Sequence, residues 1–148
     1  MADETVYCPN CDTENSLSPF VYDREIEHAG RKLVVTGLEA SKCAVCGSDP
    51  VLADQIRRNR ARYVDTKRRA DGLLTSDEIV AVRSALSLTQ SEAAALFGGG
   101  SKAFSKYERG EVTQSIAMDR LMRIATEVPG AEAWLRAEAG MVPGKIGA

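Results

Sequence analysis

The sequence has only one histidine and one tryptophan, and aromatic residues make up just 5% of its 148 positions. It contains no apolar run near the 18 residues that a membrane-spanning helix needs. The sequence shows no recognisable nucleophile–histidine pair around its one histidine and no paired carboxylates in a pocket motif, so we do not expect an enzyme. The net charge of -2 excludes nucleic-acid binding through bulk positive charge. Any DNA contact therefore requires a local basic face.

The first residues, Met1 to Glu4, are acidic and are not followed by an apolar segment. They lack the features of a secretory signal or a transit peptide, so we expect a cytoplasmic protein with no membrane contact. Hydrophobic residues make up 44% and charged residues 27%, as is usual in soluble globular proteins. A chain of 148 residues allows one ordinary domain or two small ones.

The four cysteines form two CxxC pairs, Cys8 with Cys11 and Cys43 with Cys46. A two-residue gap lets a tight turn direct both sulfur atoms to one point, and two such turns complete a tetrahedron around Zn²⁺. Gly47 follows the second pair, where such a turn often needs a positive φ. We therefore predict one structural zinc ion bound by all four thiolates. A redox pair, disulfides and buried free thiols are the alternatives, although the first explains one pair only and disulfides need an oxidising compartment.

Two β-rich segments, residues 20–27 and 31–38, lie between the cysteine pairs and flank Ala29 and Gly30. This pattern predicts a hairpin that brings the two CxxC turns together. The result is a small zinc-ribbon-like domain in which metal binding contributes much of the folding free energy. We expect His28 to be a surface residue near the turn and not a ligand, because four thiolates already fill the site.

Residues 51–70 have the pattern of a long helix with a thin apolar stripe and many basic side chains. Such a helix is typical of a solvated connection between domains, and contact with phosphates or with an acidic partner is the alternative. Asp71 and Gly72 end this segment, and we place a domain boundary there. Its basic residues are Arg57, Arg58, Arg60, Arg62, Lys67, Arg68 and Arg69.

The second half of the chain has an all-helical pattern. Two capping-box sequences, Thr75 to Glu78 and Thr89 to Glu92, each predict the start of a helix. The complete set of predicted helices spans residues 75–86, 89–97, 101–109, 115–127 and 131–139. The Gly- and Pro-containing residues 141–148 are expected to form a flexible tail.

The glycine triplet at residues 98–100 separates two short helices, an arrangement typical of a helix-turn-helix. The second helix of such a pair enters the major groove of DNA. We expect Gln90, in the first turn of the first helix, to meet a phosphate. A solvated face of an ordinary helical bundle is the alternative. A phosphate-binding loop would need a preceding strand and a Gly-Lys-Ser/Thr ending. The outer face of the second helix supplies the other candidate DNA contacts: Ser101, Lys102, Ser105, Lys106 and Arg109.

Residues 88–98 and 105–110 resemble the Xre/Cro-type helix-turn-helix. Together with the amino-terminal CxxC pairs and the Gly-Gly-Gly turn, they make the chain similar to the MqsA-type antitoxins of bacterial type II toxin–antitoxin systems, from residue 5 to about residue 128. The family's motif has Asn and Arg where this chain has Lys102 and Lys106. Because lysine makes less directional base contacts than those residues, this chain is expected to recognise a different operator or to rely more on phosphates.

The resemblance implies an α+β protein with two functional parts. Residues 1–72, the zinc-ribbon-like hairpin domain and its connecting helix, would neutralise a toxin, usually a RelE-like endoribonuclease. Residues 73–140, the all-α helix-turn-helix domain, would form a homodimer and bind a palindromic operator as an autorepressor. A stand-alone zinc-containing transcription regulator without a toxin is the alternative function, and a thiol redox or zinc sensor is a third.

Overall fold

A computed structural model describes residues 4–141 of the chain. Within this range an antiparallel hairpin precedes six helices, which confirms the α+β class. None of these helices combines the length and the apolar character needed to cross a membrane. Of the predicted tail only Met141 is described, and it packs against the helical core; residues 142–148 lie outside the described range. The elements are β1 (Leu17–His28), β2 (Arg31–Cys43), α1 (Ala53–Ala70), α2 (Ser76–Ala85), α3 (Gln90–Phe97), α4 (Ala103–Glu108), α5 (Ile116–Glu127) and α6 (Ala131–Glu138).

The predicted hairpin is present, and its strands are longer than the two β-rich segments. Ala29 and Gly30 have φ values of 50° and 75°, as a two-residue turn of type I′ requires. The register pairs Leu17 with Cys43. Consequently the second CxxC turn lies beside the residues that follow the first one.

The first part of α1 packs along the outer edge of β2. The side-chain amide of Asn59 accepts from the backbone N–H of Glu39 at 2.8 Å and donates to its carbonyl at 2.9 Å. These bonds satisfy backbone groups that would otherwise be unpaired at a sheet edge. The Glu39 carboxylate accepts from Arg58 and Arg62, and their guanidinium groups lower the pKa of Glu39 to about 2. Two of the basic residues of the connecting helix are thus engaged in ion pairs.

The chain divides into two compact units, Met1–Thr66 and Lys67–Ala148. This division falls inside α1, before the boundary predicted after Gly72. The difference arises because the last turn of α1 bonds within the second unit: Arg68 donates to the hydroxyl of Ser76 and to the carbonyl of Tyr107.

The second unit is a helical domain around one apolar core. Both predicted capping boxes are confirmed at the starts of α2 and α3, where Thr75 and Thr89 are the N-cap residues. The prediction that the third helix begins at Ser101 is wrong by two residues. Helix α4 begins at Ala103, and Lys102 is its N-cap residue, with φ -107° and ψ 3°. The side chains that are completely buried in this core are Ile79, Ala93, Phe104 and Met122.

Asp119 links the segment before α2 to α5. Its carboxylate accepts from the backbone N–H of Leu74 at 2.7 Å, from Gln114 at 3.0 Å and from Arg123 at 2.9 Å. Burial opposes ionisation, but these three donors outweigh it and lower the pKa of Asp119. The carboxylate is therefore stabilising in its charged form.

Asp119→Asn is expected to lower the free energy of unfolding at neutral pH by about 1–3 kcal/mol, because buried donors lose a charged acceptor. Since folding lowers this pKa, the stabilisation is complete above about pH 4, the ordinary carboxylate value, and is lost as the pH falls through the lowered value. Urea denaturation at several pH values tests this. Exposed Glu138→Gln is the matched control, and equal pH dependence of the two variants would contradict the assignment.

Candidate metal centre and nucleic-acid interface

The hairpin register brings all four cysteine sulfur atoms to one place. Cys8 Sγ lies 3.8 Å from Cys46 Sγ, and Cys11 Sγ lies 3.7 Å from Cys43 Sγ. All four atoms lie within 4.8 Å of one another. Four sulfur atoms placed about 2.3 Å from a central zinc ion are separated by roughly 3.8 Å. The cluster therefore has the donor set and the size of a tetrahedral metal site.

Two tight turns hold the sulfur atoms. In the first turn the backbone N–H of Asp12 donates to the carbonyl of Cys8, and Asp12 has a φ of 60°. In the second turn the N–H of Gly47 donates to the carbonyl of Cys43, and Gly47 has a φ of 72°. The positive φ predicted for Gly47 is thus confirmed. His28 is the last residue of β1, and β1 begins next to Cys43. His28 therefore lies at the opposite end of the hairpin from the two CxxC turns.

Hydroxyl and amide groups surround the sulfur atoms. Ser48 Oγ lies 3.0 Å from Cys46 Sγ, and the Asn10 amide donates to the same sulfur at 3.5 Å. These contacts, with Ser48 the stronger, lower the pKa of Cys46 to about 5. Ser16 Oγ lies 3.2 Å from Cys43 Sγ and lowers the pKa of that thiol. At Cys43 and Cys46 these groups therefore favour the thiolate form that a metal ion requires.

The cluster can hold a metal ion for structure but not for catalysis. Four thiolates complete a tetrahedral coordination sphere and leave no position for water or substrate. Cys8 and Cys43 are buried, whereas Cys46 is exposed. Four thiolates in a tetrahedral arrangement are a donor set that suits zinc and iron–sulfur centres.

Helices α3 and α4 form the predicted helix-turn-helix. Phe104 of α4 stacks on Phe97 of α3 with ring centroids 5.7 Å apart. Gly98, Gly99 and Gly100 all have positive φ values. A Cβ on Gly99 would lie 3.2 Å from Ala103 Cβ and 3.4 Å from the hydroxyl of Tyr107. The triplet therefore allows both an unusual backbone path and a close approach to α4.

The structure places most of the candidate DNA contacts on the surface around α4. Lys106 and Arg109 are exposed and Ser105 is partly buried, while Ser101 and Lys102 are exposed in the turn before the helix. Lys102 and Lys106 are four residues apart and therefore lie on the same side. Together with Gly99, Gly100, Ser101 and Tyr107 they line a depression of about 420 Å³. We call this surface the α4 cationic face.

Gln90, in the first turn of α3, is partly exposed. Its side-chain amide donates to the carboxylate of Glu108, which also accepts from Arg83. The Glu108 side chain is only 7% exposed. Gln90 is therefore oriented by α4. The single acidic side chain of α4 is neutralised by Arg83, which leaves the outer side of the helix cationic.

The sequence pattern does not reveal that Arg83, Glu108 and Arg68 shape this interface. Arg83 and Glu108 are 25 residues apart in the chain, and Arg68 bonds Tyr107 across 39 residues. No local pattern signals pairs at such separations. The one available hint was composition: an acidic residue inside an otherwise basic short helix needs a partner.

The chain is similar to known proteins along most of its length. Residues 6–136 match a family described as the antitoxin component of a bacterial toxin–antitoxin system, MqsA. The chain is also similar to Antitoxin MqsA of Escherichia coli strain K12, with 31% identity over 123 residues. That alignment covers 82% of this chain and 93% of the relative.

Proposed function

The chain belongs to the MqsA antitoxin family, and from this premise we propose that it neutralises a toxin and represses its own operon. The observation that carries the proposal is the family match over residues 6–136, which includes both the closed four-cysteine cluster and the exposed cationic helix-turn-helix. The first arrangement serves structure and the second serves DNA binding. We propose a cytoplasmic regulator and not an enzyme.

We assign toxin binding to the unit that holds the cysteine cluster. Zinc is the proposed ion, bound once per chain by Cys8, Cys11, Cys43 and Cys46. The proposed partner is a RelE-like endoribonuclease toxin. By closing the hairpin against both CxxC turns, the metal would hold the surface of this unit in one conformation.

We assign DNA binding and dimerisation to the helical unit. Four apolar side chains of α5, α6 and the segment between them are exposed: Ile116 by 59%, Ile124 by 46%, Val128 by 50% and Trp134 by 63%. We propose that these side chains form the contact with a second copy, since a contiguous apolar patch on a protein surface marks an interaction site. A two-fold dimer would match a palindromic operator with half-sites about one helical turn apart.

Within the α4 cationic face we propose a division between base contacts and phosphate contacts. Lys102, Ser105 and Lys106 would reach base edges in the major groove, with Ser101 at the rim. Arg109 would meet the backbone, because it follows the last residue of α4. Gln90 would contact a phosphate from the start of α3, in an orientation that Glu108 fixes.

Lys106→Ala is expected to weaken operator binding by about 1–3 kcal/mol and to relax the preference at one base pair. Gln90→Ala should weaken binding to operator and scrambled duplexes by similar factors, because phosphates carry no sequence information. The measurement is a titration against both duplexes at two salt concentrations. Lys32→Ala removes the same charge from the hairpin turn region and serves as the control. Equal loss on both duplexes would make Lys106 a phosphate contact.

A further inference from the structure

Arg68 is the largest completely buried side chain in the described part of the protein, with no exposed surface. Burying a guanidinium group is costly, so it persists only where hydrogen bonds compensate for lost hydration. Arg68 lies in the last turn of α1. From the sequence we expect it to be one of several solvated basic residues on that helix. Its neighbours Lys67 and Arg69 are indeed exposed.

The contacts of Arg68 converge on the end of α4. The Nη2 atom of Arg68 donates to the carbonyl of Tyr107 at 3.1 Å and to the carbonyl of Val112 at 2.9 Å. Nη1 donates to the hydroxyl of Ser76, the first residue of α2, at 3.0 Å. Tyr107 belongs to α4, and Val112 belongs to the loop that follows it. A single planar group thus joins the end of α1, the start of α2 and both sides of the α4 terminus.

These bonds act where a short helix is weakest. The last carbonyl groups of a helix lack the regular helical hydrogen bond, and α4 has only six residues. The carbonyl of Tyr107 accepts from the N–H of Gly110 at 3.2 Å, and Arg68 adds a charged donor to it. A positive charge at this end also interacts favourably with the helix dipole. Lys106 immediately precedes Tyr107, and Arg109 lies between Tyr107 and Val112. The residues proposed to contact DNA are therefore attached to the backbone that Arg68 holds.

We propose that Arg68 is a positioning residue for DNA binding: it fixes the carboxyl end of α4 so that the α4 cationic face has the geometry required for base contacts. The inference rests on the proposed DNA-binding function. A lysine cannot replace the guanidinium group, because an ammonium group lacks the planar fork that reaches three acceptors from one place. The last turn of α1 thereby becomes part of the DNA-binding apparatus.

The test compares Arg68→Lys with Arg69→Lys in the full chain. Both substitutions conserve charge and lie in the same helical turn, but only the first removes the guanidinium group that bonds Ser76, Tyr107 and Val112. Each protein is titrated with a duplex from the promoter of its own operon and with a scrambled duplex, at a temperature where denaturation curves show it folded. Arg68→Lys should lower promoter affinity at least tenfold and reduce the preference over scrambled DNA, while Arg69→Lys stays within twofold of the unchanged protein.

An unchanged preference in folded Arg68→Lys would overturn the inference, since a purely structural bond lowers stability without altering discrimination. If Arg68→Lys does not fold, Ser76→Ala replaces it, because this variant removes one acceptor of Arg68 and leaves both carbonyl contacts. Ser76→Ala should lower the preference for the promoter duplex about threefold. An unchanged preference would again overturn the inference.

If the unchanged protein shows no preference for its promoter, the proposed function fails and hydrogen exchange decides on Arg68. The amides of Gly110 and Glu111, which bond Tyr107 and Lys106, must then exchange faster in Arg68→Lys than in Arg69→Lys. Equal exchange would reject the positioning of α4 by Arg68.

Discussion

Cys43→Ser is expected to unfold the hairpin unit and to leave the helical unit folded. Cys43 is buried, pairs with Leu17 at the start of β1 and supplies one of the four sulfur atoms. Structural zinc contributes on the order of 10 kcal/mol to the folding of small domains, and a core of this size rarely supplies more than about 3–5 kcal/mol. The free energy lost with the metal site therefore exceeds the stability that the hairpin unit has without metal.

Metal analysis and hydrogen exchange measure this effect together. The unchanged protein should contain one zinc ion per chain, and Cys43→Ser should contain little and lose protection in residues 17–43. Ser18→Ala is the matched control, since Ser18 is exposed and pairs with Lys42 next to the site. Persistent protection of β1 and β2 in Cys43→Ser would mean that the hairpin does not depend on metal.

Phe104→Ala is expected to lower the free energy of unfolding of the helical unit by about 3–5 kcal/mol. Phe104 is completely buried, stacks on Phe97 and meets the ring of Tyr107 edge-on at 5.5 Å between centroids. Removing the ring leaves a cavity between α3 and α4, the two helices that form the proposed DNA interface. Stability and DNA binding should therefore decline together.

The single tryptophan of the chain, Trp134, lies in α6 and reports on this unit by fluorescence during urea denaturation. Val112→Ala is the control, because Val112 is 45% exposed and its truncation should change stability by no more than about 0.5 kcal/mol. A loss below about 1 kcal/mol for Phe104→Ala would show that α4 contributes little to the core.

Features that depend on short-range chemistry could be predicted from the sequence. The CxxC spacing predicts the sulfur cluster because each turn is closed by bonds between near neighbours. The capping boxes at Thr75 and Thr89 are likewise local, and both are present. The hairpin turn follows from Ala29 and Gly30, although the pattern underestimates the length of both strands.

Polar residues that bond across the fold could not be predicted. Arg68 has the same side chain as its exposed neighbour Arg69, and only the tertiary position of three acceptors distinguishes them. The two hydrogen bonds from Asn59 to the edge of β2 depend on where α1 lies in the fold. The helical pattern of apolar residues carries no information about them. Helix α4 begins later than its sequence pattern predicts because the glycine triplet leads the chain past Ser101 before helical hydrogen bonding begins.

The most direct test of the proposed function is growth of bacteria that express the gene adjacent to that of this chain. The account predicts that the neighbouring protein alone arrests growth, that co-expression of this chain restores it, and that Cys43→Ser fails to restore it while Lys106→Ala succeeds. That combination would assign neutralisation to the unit with the cysteine cluster and DNA recognition to the other. Growth arrest that this chain does not relieve, or the absence of any arrest, would contradict the antitoxin function and favour a stand-alone transcription regulator.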